Sequence, residues 1–210
     1  MLAKFTAWGL LALIRLLTGA QARWWGCPPK AEQRIYFANH QSHLDLVMIW
    51  AALPEELRSI TRPIAARDYW ANTPFKRWIT SEVFHAIYVE RGGAAVPPGS
   101  AEALAPLQPL IEALQSGDSI IIFPEGTRGH TGEPQKFKSG LYTLAQMFPE
   151  VVLVPAWIDN VQRVMPKGEV VPVPILCSVT FGVPLRLEDD EERRAFLDRA
   201  RQAVIALRDV

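Results

Sequence analysis

The chain has 210 residues, 49% of them hydrophobic, and its 22 basic residues are balanced by 22 acidic ones. That length suits one domain with a sizeable core, and a formal net charge of zero speaks against general nucleic-acid binding. Cys27 and Cys177 stand far apart without zinc-ligand or redox spacing, which fits a reducing compartment.

Residues 1–26 carry Lys4, Arg15 and Arg23, no acids, and the tryptophans Trp8, Trp24 and Trp25. Phe5 through Ile14 is an apolar run that Arg15 interrupts. It falls short of the roughly 20 apolar residues a spanning helix needs. Basic charge with interfacial aromatics suits a helix lying at a bilayer surface, where Arg15 can snorkel. Residues 1–28 are therefore read as a membrane-associating segment and 29–210 as the body of the protein. Ala20-Gln21-Ala22 resembles a secretory cleavage site, but a basic residue inside the apolar stretch argues against removal.

Beyond this segment, strands are predicted near 33–38, 60–66, 84–89, 119–123, 151–158 and 173–181, and helices near 43–53, 74–81, 101–115, 139–148 and 189–208. The last helix aligns Phe196, Ala200, Val204 and Leu207 on one face, with acids at its start and Arg208 near its end. Alternating helices and strands imply a single α/β domain, a central mixed and mostly parallel sheet flanked by helices. In such sheets the site lies beyond the carboxyl ends of the strands. Trp50, Trp70 and Trp78 are candidates for the wall of an apolar tunnel, with core packing as the plainer role. His85, inside the predicted strand 84–89, reads as a core histidine.

Two strand ends carry chemistry. The first is Asn39-His40-Gln41-Ser42-His43-Leu44-Asp45, between the strand-like Ile35–Ala38 and a helical run. A tight turn there can bring Asp45 back onto the imidazole of His40. A carboxylate on one ring nitrogen fixes the tautomer and frees the other to take a proton. Such a dyad has no nucleophile of its own, so a substrate hydroxyl must serve, and the reading is acyl transfer. A rival uses His40, His43 and Asp45 as metal ligands of a hydrolase, but the denser spacing of paired-metal sites is missing.

The second is Pro124-Glu125-Gly126-Thr127-Arg128, at the end of the buried-strand pattern Ser119–Phe123. Gly126 permits a conformation or an approach that a Cβ forbids. Thr127 and Arg128 offer a hydroxyl, an amide and a planar fork of donors, a set that suits phosphate. The plainer alternative is a surface turn whose Glu125 and Arg128 pair with each other.

Together, Asn39-His40 through Asp45 and Phe123 through Arg128 resemble the blocks of the glycerol-phosphate and lysophospholipid acyltransferase superfamily, nearest to the bacterial 1-acyl-glycerol-3-phosphate acyltransferases. Phe84–Arg91 is similar to the family's strand ending in a phosphate-contacting arginine, and Val154–Ile158 to its late apolar block. The resemblance runs from about residue 30 to about residue 185, and Lys136-Phe137-Lys138-Ser139-Gly140 fits its basic segment. Departures are Glu90, where Asp is frequent, and Gly129, where serine is common.

The resemblance implies an acyltransferase domain over 29–210, with His40 as general base oriented by Asp45. It implies an acceptor site of Arg91, Glu125, Gly126, Thr127 and Arg128, in which Arg91 and Arg128 hold the phosphate while Glu125 and Thr127 contact glycerol or order the loop. The substrates it implies are a lysophosphatidic-acid-like acceptor and an acyl carrier protein or coenzyme A thioester donor, with the bilayer as a further partner and no metal or bound cofactor. Acyl thioesters place such chemistry on the cytoplasmic face of the inner membrane. Another lysophospholipid or a lyso-aminolipid is the alternative acceptor, and a non-catalytic lipid-binding protein is the alternative class.

Overall fold

In the computed structural model, which describes residues 1–42, 44–90, 104–129, 132–160 and 175–210, helix α1 (Leu2–Thr18) ends at Gly19. The left-handed φ of 68° at this glycine turns its N–H onto the Arg15 carbonyl and stops the helix. Strand β1 (Gln21–Trp24) follows, then β2 (Arg34–Ala38), α2 (Asp45–Ala52), α3 (Glu55–Ser59), β3 (Thr61–Ala66), α4 (Arg67–Trp70) and α5 (Pro74–Trp78). The second half contributes β4 (Ile87–Val89), α6 (Gln108–Gln115), β5 (Ser119–Ile122), α7 (Gly140–Met147), β6 (Val152–Asp159), β7 (Ser178–Phe181) and α8 (Arg193–Ile205).

The strands form one sheet in the order β1-β7-β6-β2-β5-β3-β4. The β6–β7 ladder is antiparallel and the other ladders are parallel. This is the mixed, mostly parallel sheet the sequence predicts. Every residue of β2 and β5 is buried, as expected for central strands covered on both faces. Period-two alternation sends Tyr36, Ala38, Ile121 and Val154 to one core, with α1 and α2. It sends Ile35, Phe37, Ile120, Ile122 and Leu153 to the other, under α6, α7 and α8. Phe196, Ala200, Val204 and Leu207 of the C-terminal helical region are all buried there, as the predicted stripe requires.

Several boundaries differ from the sequence reading. The segment 1–28 contributes a strand absent from the predicted set: β1 pairs in parallel with β7, and Trp24 stacks on Phe181 at a centroid distance of 4.2 Å. The predicted strand 84–89 shortens to Ile87–Val89, because α5 runs on into a π turn over Ile79–Val83. Ala86 N–H closes that turn onto the Thr80 carbonyl, with His85 between them at a left-handed φ of 48°. His85 is exposed, not a core residue. In the described part of the predicted helix 101–115, Pro106 and Pro109 accompany a 3₁₀ turn over Ala105–Leu107 that leads into α6, and residues 101–103 lie outside the described residues. Helices α3 and α4, of 5 and 4 residues, are too short to carry a periodic signal.

Helix α1 is apolar around most of its circumference. Ala7, Leu10, Leu11 and Ile14 pack against the body, while Leu2, Phe5, Trp8 and Leu16 stay 72–81% exposed. No helix among the described residues is long and apolar enough to cross a membrane.

Candidate active site

β2 and β5 are adjacent and parallel, with Phe37 opposite Ile122. Counting three residues on from each places His40 beside Glu125 at the carboxyl edge of the sheet. The structure joins them directly. The His40 backbone N–H donates to Glu125 Oε1 at 2.7 Å, and the Gln135 N–H donates to Oε2, also at 2.7 Å. Gly129 N–H donates to the His40 carbonyl at 2.8 Å. Glu125 is 2% exposed. Burial holds its carboxyl above the ordinary value, a rise that the two amide donors reduce without cancelling. With both oxygens taken by backbone amides, Glu125 braces the His40 turn from within. It does not form the surface pair with Arg128 that an ordinary turn would show.

The His40 imidazole sits on this brace. Its Nδ1 lies 3.0 Å from Asp45 Oδ2, and the same oxygen accepts the N–H groups of Gln41 at 2.6 Å and Ser42 at 2.7 Å. One carboxylate oxygen thus closes the turn and holds the ring. The acceptor at Nδ1 assigns the proton to that nitrogen and leaves Nε2 as the basic one. Asp45 also starts α2, where an acid is favoured by the helix dipole. Phe123 stacks on the imidazole at 4.3 Å and 18°. Asn39, 1% exposed, donates to the Ile158 carbonyl at 3.0 Å and accepts the Ile158 N–H at 2.8 Å. Its amide therefore adds a side-chain rung to the β2–β6 ladder where the backbone leaves it. Nothing in the sequence singles out the roles of Phe123, Asn39 and Gln135, although the first two lie inside the motifs.

Gly126 has φ 69°, and a Cβ there would lie 2.6 Å from Lys138 Nζ. The missing side chain therefore serves both the turn and the lysine laid across it, which is tied down by its own N–H on the Pro124 carbonyl at 2.8 Å. Thr127 is exposed and Arg128 half-buried at the same edge. A Cβ on Gly129 would lie 3.3 Å from Glu125 Oε2, so a side chain at this position would press on the brace. Arg67 follows β3 on the same edge, 3.2 Å from Glu90 and over the Tyr88 ring. Arg91 and His43 lie outside the described residues.

Between α1, α2 and the π turn runs an apolar cavity of about 300 Å³. Leu44 lines it next to the His40–Asp45 turn, followed along α2 by Val47 and Met48, with Leu13, Trp70 and Phe84 among the facing residues. Of the tryptophan candidates, Trp70 lines this cavity. Trp50 is buried against Phe84 at 5.0 Å, and Trp78 packs half-buried on the same core.

A hydroxyl substrate at Nε2, a phosphate at the Thr127–Arg128 turn and an apolar chain beyond Leu44 can all be served from this one edge. Human 1-acyl-sn-glycerol-3-phosphate acyltransferase alpha is 28% identical over 184 residues, covering 85% of this chain and 60% of the human protein. The 1-acyl-sn-glycerol-3-phosphate acyltransferase of Cocos nucifera is 25% identical over 164 residues, covering 76% of this chain and 48% of the plant protein. This chain thus spans about half to three-fifths of the length of these relatives. The structure of the 1-acyl-sn-glycerophosphate (LPA) acyltransferase PlsC from Thermotoga maritima matches with a TM-score of 0.68 at 21% identity, over 99% of this chain and 80% of that one. That likeness is one of fold. The family model described as Acyltransferase matches residues 28–159, and the chain belongs to that family.

Proposed function

We propose that this protein is a membrane-associated O-acyltransferase that moves a fatty acyl group from an acyl thioester to the free hydroxyl of 1-acyl-glycerol-3-phosphate. The observation that carries the reading is the His40–Asp45 contact at 3.0 Å. Among the described residues the ring's partners are Asp45 and Phe123, neither of them a hydroxyl or a thiol. The attacking oxygen therefore belongs to the acceptor.

Nε2 of His40 takes the proton from the acceptor hydroxyl as its oxygen forms a bond to the thioester carbonyl carbon. Asp45 remains ionised and stabilises the imidazolium. The carbon–sulfur bond then breaks, and the imidazolium returns the proton to the departing thiolate. Arg128, Thr127 and Arg91 hold the acceptor phosphate, which fixes its hydroxyl near Nε2. Such positioning supplies up to about 7–11 kcal/mol of the barrier. The names of the human and coconut relatives support this acceptor. The donor is a thioester of acyl carrier protein or coenzyme A. The outward apolar row of α1, with Lys4 and Arg15, supports association with a bilayer, on the face where acyl thioesters are available.

The test is thiol release from an acyl thioester, followed with and without lysophosphatidic acid. Release that requires the acceptor, with phosphatidic acid as product, is the expected result. Release without acceptor would make the protein a thioesterase, and no release with either donor class would remove the reading.

The acyl chain is placed in the cavity beyond Leu44. Val47→Phe narrows this space and is expected to shift preference toward shorter chains. A buried methylene contributes about 0.8 kcal/mol, roughly fourfold in kcat/KM for each one excluded. Competition between long and short acyl thioesters measures it, and an unchanged preference would place the chain elsewhere.

A further inference from the structure

The segment 132–135, just beyond the Glu125 turn, is gripped from two sides. On one side, Gln135 N–H donates to Glu125 Oε2 at 2.7 Å, and Gln41 of the catalytic turn donates to the Gly132 carbonyl at 3.2 Å. On the other stands α8, whose Arg201 donates from Nε to the Pro134 carbonyl at 2.8 Å. Arg201 also approaches Glu133 at 3.7 Å, as does Arg208.

The Pro134 carbonyl and the Gln135 N–H belong to one peptide unit. That unit is planar and rigid, so fixing its oxygen fixes the direction of its hydrogen. A guanidinium on the oxygen also polarises the amide and strengthens the N–H as a donor. The contacts therefore run in series from the Arg201 guanidinium through the 134–135 peptide to the Glu125 carboxylate and then to the His40 N–H. Helix α8 cannot shift easily beneath this series, because its other face is locked in the core by Phe196, Ala200 and Val204, each 0% exposed.

We propose that Arg201 is a positioning residue for the catalytic turn, acting on His40 through the Pro134–Gln135 peptide and Glu125. This rests on the acyl-transfer reading of the site. It assigns the C-terminal helix a role in the chemistry although no residue of that helix touches the reacting atoms.

Arg201→Ala is expected to lower kcat roughly tenfold, as for loss of a hydrogen bond to a charged group, with KM for the acyl thioester unchanged. Hydrogen exchange at the amides of His40 to Ser42 should speed up by a similar factor. Arg201→Lys, which keeps a cation near the Pro134 carbonyl, should recover part of both. Arg199→Ala is the control for loosening of the helix, since Arg199 makes its ion pairs with Glu191 and Glu188 instead. It should leave kcat and exchange at His40 near wild type. In a cycle with Glu125→Gln, adding Arg201→Ala should cost little more, because both act through one series. Wild-type kcat and exchange in Arg201→Ala, an equal fall in Arg199→Ala, or full additivity with Glu125→Gln would each overturn the proposal. Failure of the wild type to release thiol would instead defeat the acyl-transfer reading, while exchange at His40 would still report on the brace.

Discussion

His40→Ala is expected to lower kcat by about 10²–10⁴, the usual worth of a positioned general base, while KM for the acyl thioester stays close to wild type. The acyl chain is assigned to a cavity walled by α1, α2 and the π turn, which the imidazole does not line. The acceptor keeps its phosphate contacts, so residual turnover from positioning should remain. The fold should survive as well. The His40 backbone is held independently of its side chain, by Glu125 on its N–H and Gly129 on its carbonyl. Asp45 retains the Gln41 and Ser42 amides when the ring is gone. Thermal unfolding should therefore move little, and loss of activity with an intact transition would identify a chemical role. A kcat within tenfold of wild type would show that another group takes the proton.

Much of this arrangement was legible in the sequence because it depends on strand register and not on distant contacts. The apolar runs ending at Ala38 and Ile122 announce two buried strands, and the motif residues stand immediately after each. Once the strands are parallel neighbours, Phe37 opposite Ile122 brings His40 and Glu125 together without further information. What the sequence does not reveal is where the side chains then turn. Glu125 follows a strand and precedes a phosphate-ready turn, so contact with glycerol and ordering of the loop are both open, and only the fold turns it inward to two backbone amides. Phe123 reads as the last apolar residue of a strand, and only the fold lays it against the imidazole. Strand β1 is not legible in the sequence because 4 residues of alternating exposure carry no signal against the basic, tryptophan-rich background. His85 shows the opposite error: its apolar neighbours suggested a strand, whereas a π turn needed a left-handed residue there to end it. The contact of Arg201 with residue 134 spans 67 positions and follows from no local pattern.

Asp45 offers the sharper separation of chemistry from structure, because two substitutions should affect it differently. One oxygen, Oδ2, receives His40 Nδ1 and the amides of Gln41 and Ser42 together. An asparagine placing its carbonyl oxygen there can accept all three. Asp45→Asn should therefore keep both the turn and the ring tautomer and remove only the negative charge that stabilises the imidazolium. Loss of that charged hydrogen bond, worth about 1.5–3 kcal/mol, corresponds to roughly 10–100-fold in kcat. Stability should change little. Asp45→Ala removes the acceptor itself. The Gln41 and Ser42 amides, tied to a carboxylate that is 1% exposed, would be left without a partner at about 1–3 kcal/mol each. The turn that presents His40 would open. Its kcat should fall by the 10²–10⁴ of the histidine variant, accompanied by a clear loss in unfolding free energy that the asparagine variant does not share. Measuring kcat and urea unfolding for both tests the assignment. An asparagine variant as inactive as the alanine one would mean that the charge, or the tautomer it fixes, outweighs the turn. An asparagine variant with wild-type turnover would reduce Asp45 to a structural clamp and leave His40 to act without an ionic partner.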